Sequence, residues 1–276
     1  MQKLRNVLLV CASALLFSCA KSPFSNGETA TRLDTVDSVR VVMVYDNIDV
    51  VLRHADADHV AGSYQITTGE NLIDKIKVEH PVHKINGKDI ISYDTVTIRN
   101  YNTLNWMRPY DYELKLTLFY DSISEIVFNS NGKLETDIMK GVSKPDEHED
   151  DIWGFGDREM KLTITGGSGD VNLKTDCFQL VTKYEFGTAK VFIEGKSSIA
   201  TTYCSYNSHG PVNATNLWSN YHYIFHYGTN YINAFAKHEI SAGNYNNGEI
   251  YYVVSADGSV PEVLDTIGPR IHPFMP

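Results

Sequence analysis

The chain has 276 residues, is 42% hydrophobic and 21% charged, and carries a formal net charge of −10. That balance is globular, sufficient for one sizeable domain or two small ones, and excludes a disordered chain. The acidic excess argues against nucleic acid as a partner, because phosphate binding needs clustered Lys and Arg.

Residues 1–18 read as a signal peptide. Lys3 and Arg5 form a positive start, and Val7 to Phe17 is an apolar run too short for the roughly 20 residues that span a bilayer. The run ends in Leu16-Phe17-Ser18-Cys19. A small residue before a cysteine at this point resembles the bacterial lipobox. The resemblance implies cleavage before Cys19 and acylation of Cys19, which would hold the protein to the outer membrane; several acyl chains anchor stably where one is marginal. Loss of Lys3 and Arg5 takes the charge from −10 to −12. Ala20-Lys21-Ser22 carry no acidic run of the kind that hints at export to the outer face, so the membrane face stays open. Residues 19–34 read as a lipidated, flexible tether.

Residues 35–140 read as a β-rich part. Val39 to Tyr45 and Ile48 to Arg53 are strand runs around a turn at Asp46-Asn47, and Gly62 to Thr67 is another. Asn71 to Ile76 is one helical turn at most. Asn86-Gly87 is a hairpin turn signal between Val82–Ile85 and Ile90–Tyr93. Leu114, Leu116 and Leu118 alternate with polar residues, and Ile123, Ile126 and Phe128 lead to Gly132-Lys133-Leu134. Residues 141–159 form an acidic insertion with Asp146, Glu147, Glu149, Asp150, Asp151 and Asp157 around Trp153 and Phe155. Clustered carboxylates suit calcium, but the spacing is not that of an EF-hand loop, so a solvated loop or a cover over a ligand stays open.

Residues 160–276 are periodic. A glycine (Gly169, Gly187, Gly210, Gly228, Gly248) precedes triplets that begin at Val171, Val191, Val212, Ile232 and Ile250, spaced 20, 21, 20 and 18 apart. A period of that size predicts stacked coils, each too small to bury its apolar face alone. The expected fold is therefore all-β, a parallel β-helix or solenoid of about 20-residue coils with an N-terminal β-rich portion. Val171, Val191, Val212 and Ile232 should form one internal column. Ile164, Tyr184 and Phe225, each seven residues before a triplet, and Phe178, Ile199, Leu217 and Ile240 after them, are further inward candidates. Pro261, Pro269, Pro273 and Pro276 would end strand pairing in a C-terminal cap. Cys177 and Cys204 sit at different offsets from their triplets and read as buried hydrophobes more readily than as a disulfide.

These stretches resemble the bacterial family of putative auto-transporter adhesins with a head GIN domain. The likeness rests on Asn47-Ile48-Asp49-Val50-Val51-Leu52, Glu70 to Ile76, Tyr112 to Ile126, Gly167-Ser168-Gly169-Asp170-Val171 and Gly248-Glu249-Ile250-Tyr251-Tyr252, and covers about residues 39–270. It implies a parallel β-helix-like fold and an adhesin-like role. Only one copy here keeps the Ser-Gly-Asp form, and the acidic insertion interrupts the family's run.

Motifs for chemistry are sparse. Gly166-Gly167-Ser168-Gly169-Asp170 has its aspartate one position early for a calcium β-roll and occurs once. His222 and His226 share a strand face about 13 Å apart, too far for one metal. His54, His59, His80 and His83 read as loop residues. No serine elbow, phosphate loop or cofactor motif is found, so the sequence predicts no cofactor, no metal and no catalysis. Asn213 and Asn233, with Tyr221, Tyr223, Tyr227 and Tyr231, form a candidate ligand face: aromatic faces stack on sugars and amides bond hydroxyls, although such residues also simply pack in sheets. The expected function is a lipid-anchored, non-enzymatic envelope protein presenting a β-solenoid face to a glycan or another envelope protein. A polysaccharide-acting enzyme, marked by a groove with two or three carboxylates and a Lys or Arg, and a purely structural module are the alternatives.

Overall fold

The computed structural model describes residues 25–85, 88–103, 113–143, 158–253, 261–268 and 270–274. Among them there is no α-helix, and one 3₁₀ turn, Ile73–Lys75, stands where one helical turn was expected. The strands are β1 (Thr29–Thr35), β2 (Val41–Asp46), β3 (Asp49–His54), β4 (Ser63–Gly69), β5 (Ile76–Glu79), β6 (Val82–Ile85), β7 (Lys88–Ile91), β8 (Thr95–Asn100), β9 (Lys115–Tyr120), β10 (Glu125–Ser130) and β11 (Leu134–Met139). They continue as β12 (Val142–Ser143), β13 (Arg158–Gly166), β14 (Asp170–Gly187), β15 (Lys190–Ser208), β16 (Val212–His226), β17 (Tyr231–Ala234), β18 (Glu239–Asn244), β19 (Glu249–Val253), β20 (Glu262–Ile267) and β21 (Ile271–Phe274). All but the β6–β7 hairpin belong to one 19-stranded sheet.

The pairings resolve into two mostly parallel ladders. The first runs β9, β3, β11, then the first halves of β14, β15 and β16, then β17, β19 and β21. The second runs β8, β2, β10, β13, then the second halves of β14, β15 and β16, then β18 and β20. Strands β14, β15 and β16 thus belong to both ladders. Alternation buries one side of each ladder, and the buried residues of both form a single hydrophobic cluster.

In the first ladder the column reads Leu116, Val50, Leu134, Val171, Val191, Val212, Ile232, Ile250. Its members are 0 or 1% exposed. The triplets therefore stack in the register their spacing predicts. In the second ladder the column is Ile98, Val44, Phe128, Ile164, Tyr184, Cys204, His226. Here counting back from the triplets fails. The distance from this column to the next triplet is seven residues at Tyr184, eight at Cys204 (204 to 212) and six at His226 (226 to 232). Phe225 consequently points outward and His226 inward. Leu217 and Ile240 are buried as expected, but Phe178 and Ile199 are only half-buried; Leu180, Ala200 and His222 occupy the column instead.

Close approach explains two glycines. A Cβ on Gly169 would lie 1.8 Å from the Gly132 carbonyl oxygen, and Gly195, at φ 115°, would place one 2.0 Å from that of Thr175. Cys177 and Cys204 are buried and unbonded to each other.

The N-terminal part departs from sequence order. The strand pair β2–β3 sits inside the pair β8–β9, although it comes first in the chain. Antiparallel β4 then pairs with β9, β1 with β4, and β5 with β8, so this end of both ladders finishes in antiparallel strands. The stretch expected as a tether, residues 19–34, overlaps a strand. Thr29–Thr35 is a strand, because its β-branched threonines and Arg32 find the free edge of β4, and Arg32 donates to the Ile73 and Ile76 carbonyls. His54 and His83 are strand residues, not loop residues. The hairpin flanking Asn86-Gly87 forms with Val82 opposite Ile91; those two turn residues lie outside the described ones. So do Cys19 and residues 144–157 with all the acids singled out above, although the ends of that insertion, Val142–Ser143 and Arg158–Glu159, pair antiparallel.

Candidate functional site

The outward side of the first ladder carries a groove of about 1190 Å³. Arg53, His54, Glu135, Asp137, Asn172, Lys174, Phe192, Glu194, Asn213 and Asn216 are among the residues lining it. They come from β3, β11, β14, β15 and β16, five adjacent strands, so the groove runs across the strands for about 19 Å at the usual interstrand spacing. Its centre is the row Glu135, Asn172, Phe192, Asn213, the residues that follow the inward column and therefore face out.

Two β-bulges bound the groove. Between Glu135 and Ile138, β11 holds one residue more than β14, and between Asn213 and Asn216, β16 holds one more than β15. Each extra residue bends its strand and re-aims its side chains. Side chains replace the lost ladder bonds. The Thr136 hydroxyl accepts from the Lys174 N–H at 2.9 Å, and the Asn213 carbonyl oxygen accepts from both the N–H and the hydroxyl of Thr215. The His54 N–H donates to Asp137 in place of a backbone acceptor.

That bulge assembles a polar cluster. The buried Tyr120 hydroxyl donates to Asp137 and lies 3.1 Å from His54 Nδ1, and Asp137 lies 3.0 Å from the same nitrogen. Burial, then the Asp137 carboxylate, push the Tyr120 hydroxyl far above the ordinary phenol range, so it stays protonated and donating. His54 and Asp137 are each about a third open to the groove. Beside them Lys174 and Glu194 pair at 2.8 Å, and the bond to Glu194 raises the Lys174 ammonium. The groove thus offers an exposed aromatic face, amides and charges of both signs. Among the described residues no cluster of His, Cys, Asp and Glu could hold a metal ion.

The predicted face residues divide. Asn213 lines the groove and Asn233 continues its row. Tyr231 lies exposed at the start of the Asn233 strand. Tyr221 and Tyr223 belong to the second ladder and do not share the groove. Tyr227 sits at a corner with other tyrosines, stacked on Tyr245 with centroids 4.5 Å apart and 5.7 and 5.3 Å from Tyr203 and Tyr206. His222 and His226 face inward and are fully buried. His222 Nε2 lies 2.9 Å from the Thr202 hydroxyl, and burial pulls the His222 imidazole down to about 4. Arg53, His54, Asp137, Lys174 and Glu194 escaped sequence reading. The neighbouring triplet residues Asn172 and Phe192 were the one available signal.

The family model for "Putative auto-transporter adhesin, head GIN domain" matches residues 40–256. Among solved structures, a putative adhesin from Bacteroides fragilis superposes with a TM-score of 0.65 at 17% identity, covering 90% of this chain and 98% of that one. A putative lipid binding protein from Parabacteroides distasonis gives 0.58 at 16% identity, over 90% and 98%. A putative adhesin from Parabacteroides merdae gives 0.51 at 14%, over 91% and 98%. At these identities the likeness is one of fold. No curated protein matches the chain.

Proposed function

This chain belongs to the family of putative auto-transporter adhesins with a head GIN domain, and on that premise we propose a lipid-anchored, non-enzymatic binding protein of the outer membrane. Its two ladders close into a β-solenoid, anchored through Cys19, whose groove face takes a glycan. The observation that supports this reading is the row Asn172, Phe192, Asn213 on the groove floor. An aromatic ring that is 41% exposed lies between two amides, spaced as a saccharide would need for stacking and hydroxyl bonding. The Lys174–Glu194 pair beside it adds one donor and one acceptor group. A glycan array should show hits with the mature chain that weaken about tenfold in Phe192→Ala and Asn213→Ala, and change little in Tyr221→Ala on the other ladder. Hits lost equally in Tyr221→Ala would move the face to the second ladder. No hits would favour a protein partner or a purely structural module. Cys19→Ala should release the protein from membranes on fractionation; unchanged association contradicts the anchor.

The His54–Asp137–Tyr120 cluster, beside Glu135, Arg53 and Lys174, favours a second reading, a polysaccharide-acting enzyme. Asp137 is already committed to a backbone N–H and a tyrosine, and Lys174 to Glu194, which fits binding better. Shortened products from an array-positive glycan, lost in His54→Ala, would establish the enzyme instead.

A further inference from the structure

We propose that the antiparallel end of the stack, formed by β1, β4, β5 and the β6–β7 hairpin, is a membrane-facing surface that rests on the lipid headgroups around the anchor. The inference rests on the lipid-anchor reading above and adds an orientation to it.

The argument begins with reach. From Ser25 to Thr35 the chain is held against the fold. The Asn71 side chain donates to the Ser25 carbonyl, the Asn71 N–H donates to the Asn26 carbonyl, and β1 then pairs along β4 from Thr29 to Thr35. Cys19 precedes Ser25 by six residues, which fully extended span at most about 22 Å. An acylated Cys19 therefore holds Ser25, four residues before β1, within about 22 Å of the bilayer surface. The ladders continue from the β1–β4 edge through β3, β11 and the long strands β14 to β16, so the far end at β20 and β21 points away from the lipid.

The second observation is chemical. Large apolar side chains stand in solvent on this end: Leu33 on β1 is 74% exposed, Val60 before β4 68%, and Val82 on the hairpin 56%, with Tyr93 just after it at 64%. Ile91, opposite Val82, and Ile90 are exposed as well. Lys84 and Lys88 lie in the same hairpin, with Asp89 opposite Lys84, in a chain whose net charge is −10. Aliphatic residues with a tyrosine and lysines suit the interface of a bilayer, where rings and apolar stems enter the headgroup layer and ammonium groups meet phosphates. The hairpin belongs to neither ladder, so nothing in the core requires Val82 and Ile91 to be apolar.

Hydrogen–deuterium exchange tests this. The lipidated chain is reconstituted in phosphatidylethanolamine–phosphatidylglycerol vesicles and compared with the chain released by detergent. In a second arm the unacylated mature chain is coupled through the Cys19 thiol to a maleimide lipid in the same vesicles, which fixes the anchor point even if native acylation fails. Failure of the anchor reading then shows in Cys19→Ala fractionation alone, and failure of the orientation shows in exchange. Amides of 29–35 and 82–93 should slow at least threefold on vesicles, those of 183–187 and 262–267 should not, and Val82→Asp with Ile91→Asp should reduce the slowing. Equal exchange at both ends, or slowing at 262–267, overturns the proposal. Slowing of 29–35 that appears with protein concentration and without vesicles also overturns it, in favour of end-to-end contact with a second copy.

Discussion

The two halves of the molecule build the same two ladders from different kinds of sequence. Residues 170–226 do so with long strands that pass from one ladder to the next at nearly constant spacing. Residues 41–143 use short strands, one ladder each, interrupted by β4, β5 and a hairpin, and threaded so that 95–120 lies outside 41–54. Both halves nonetheless contribute fully buried members to the same columns. A repeat in sequence is therefore one route to a stacked core. What the core demands is an apolar residue at each rung, whichever segment supplies it.

The sharpest way to break the likeness is at the bend of a strand that serves both ladders. Gly195 combines a positive φ with backbone 2.0 Å from its missing Cβ. Gly195→Val should cost about 4 kcal/mol or more, since strain and clash add, read as a fall in the urea midpoint. A loss below about 1 kcal/mol would mean that the bend tolerates a side chain.

The first ladder allows a matched pair. Leu116→Ala and Leu173→Ala remove fully buried leucines from the same ladder in the two halves, and each should cost roughly 3 kcal/mol. Equal losses in one unfolding transition fit a single stack. Two transitions, each shifted by one variant only, would make the halves separate domains.

Acid should separate the halves. His222 and His226 are buried in the repeat half, where burial lowers both imidazoles, His222 to about 4. The unfolded chain takes up these protons near pH 6.5 and the folded one does not. Stability is therefore whole above about pH 6.5 and falls as pH drops toward 4, by on the order of 3 kcal/mol for His222. Denaturant midpoints across that range should flatten in His222→Gln. An unchanged slope would place the acid sensitivity elsewhere.

The smallest effect is expected in the groove. Lys174 and Glu194 are each about half exposed, so Glu194→Gln should leave the urea midpoint within error of the parent chain. A larger loss would make the groove a structural element of the stack.

Legibility followed the same division. The triplets specified one column, because nearly equal spacing and alternation leave little choice of register. The second column was misread at Phe225, because corner lengths of six to eight residues move the inward position without any mark in composition. In the groove, Asn172, Phe192 and Asn213 were visible as triplet middles. His54 and Asp137 were not, since they meet only through out-of-order threading and a one-residue bulge. Thr29–Thr35 looked like linker because its strand character comes from the partner edge.

The most direct test is cysteine crosslinking on the outward row of the first ladder. The threading places Val51 between Thr117 and Glu135. Oxidation should link Val51→Cys with Glu135→Cys, and Val51→Cys with Thr117→Cys, and should leave Thr117→Cys with Glu135→Cys unlinked. A ready crosslink between positions 117 and 135, with none between 51 and 135, would put the strands in sequence order and contradict the stack described above.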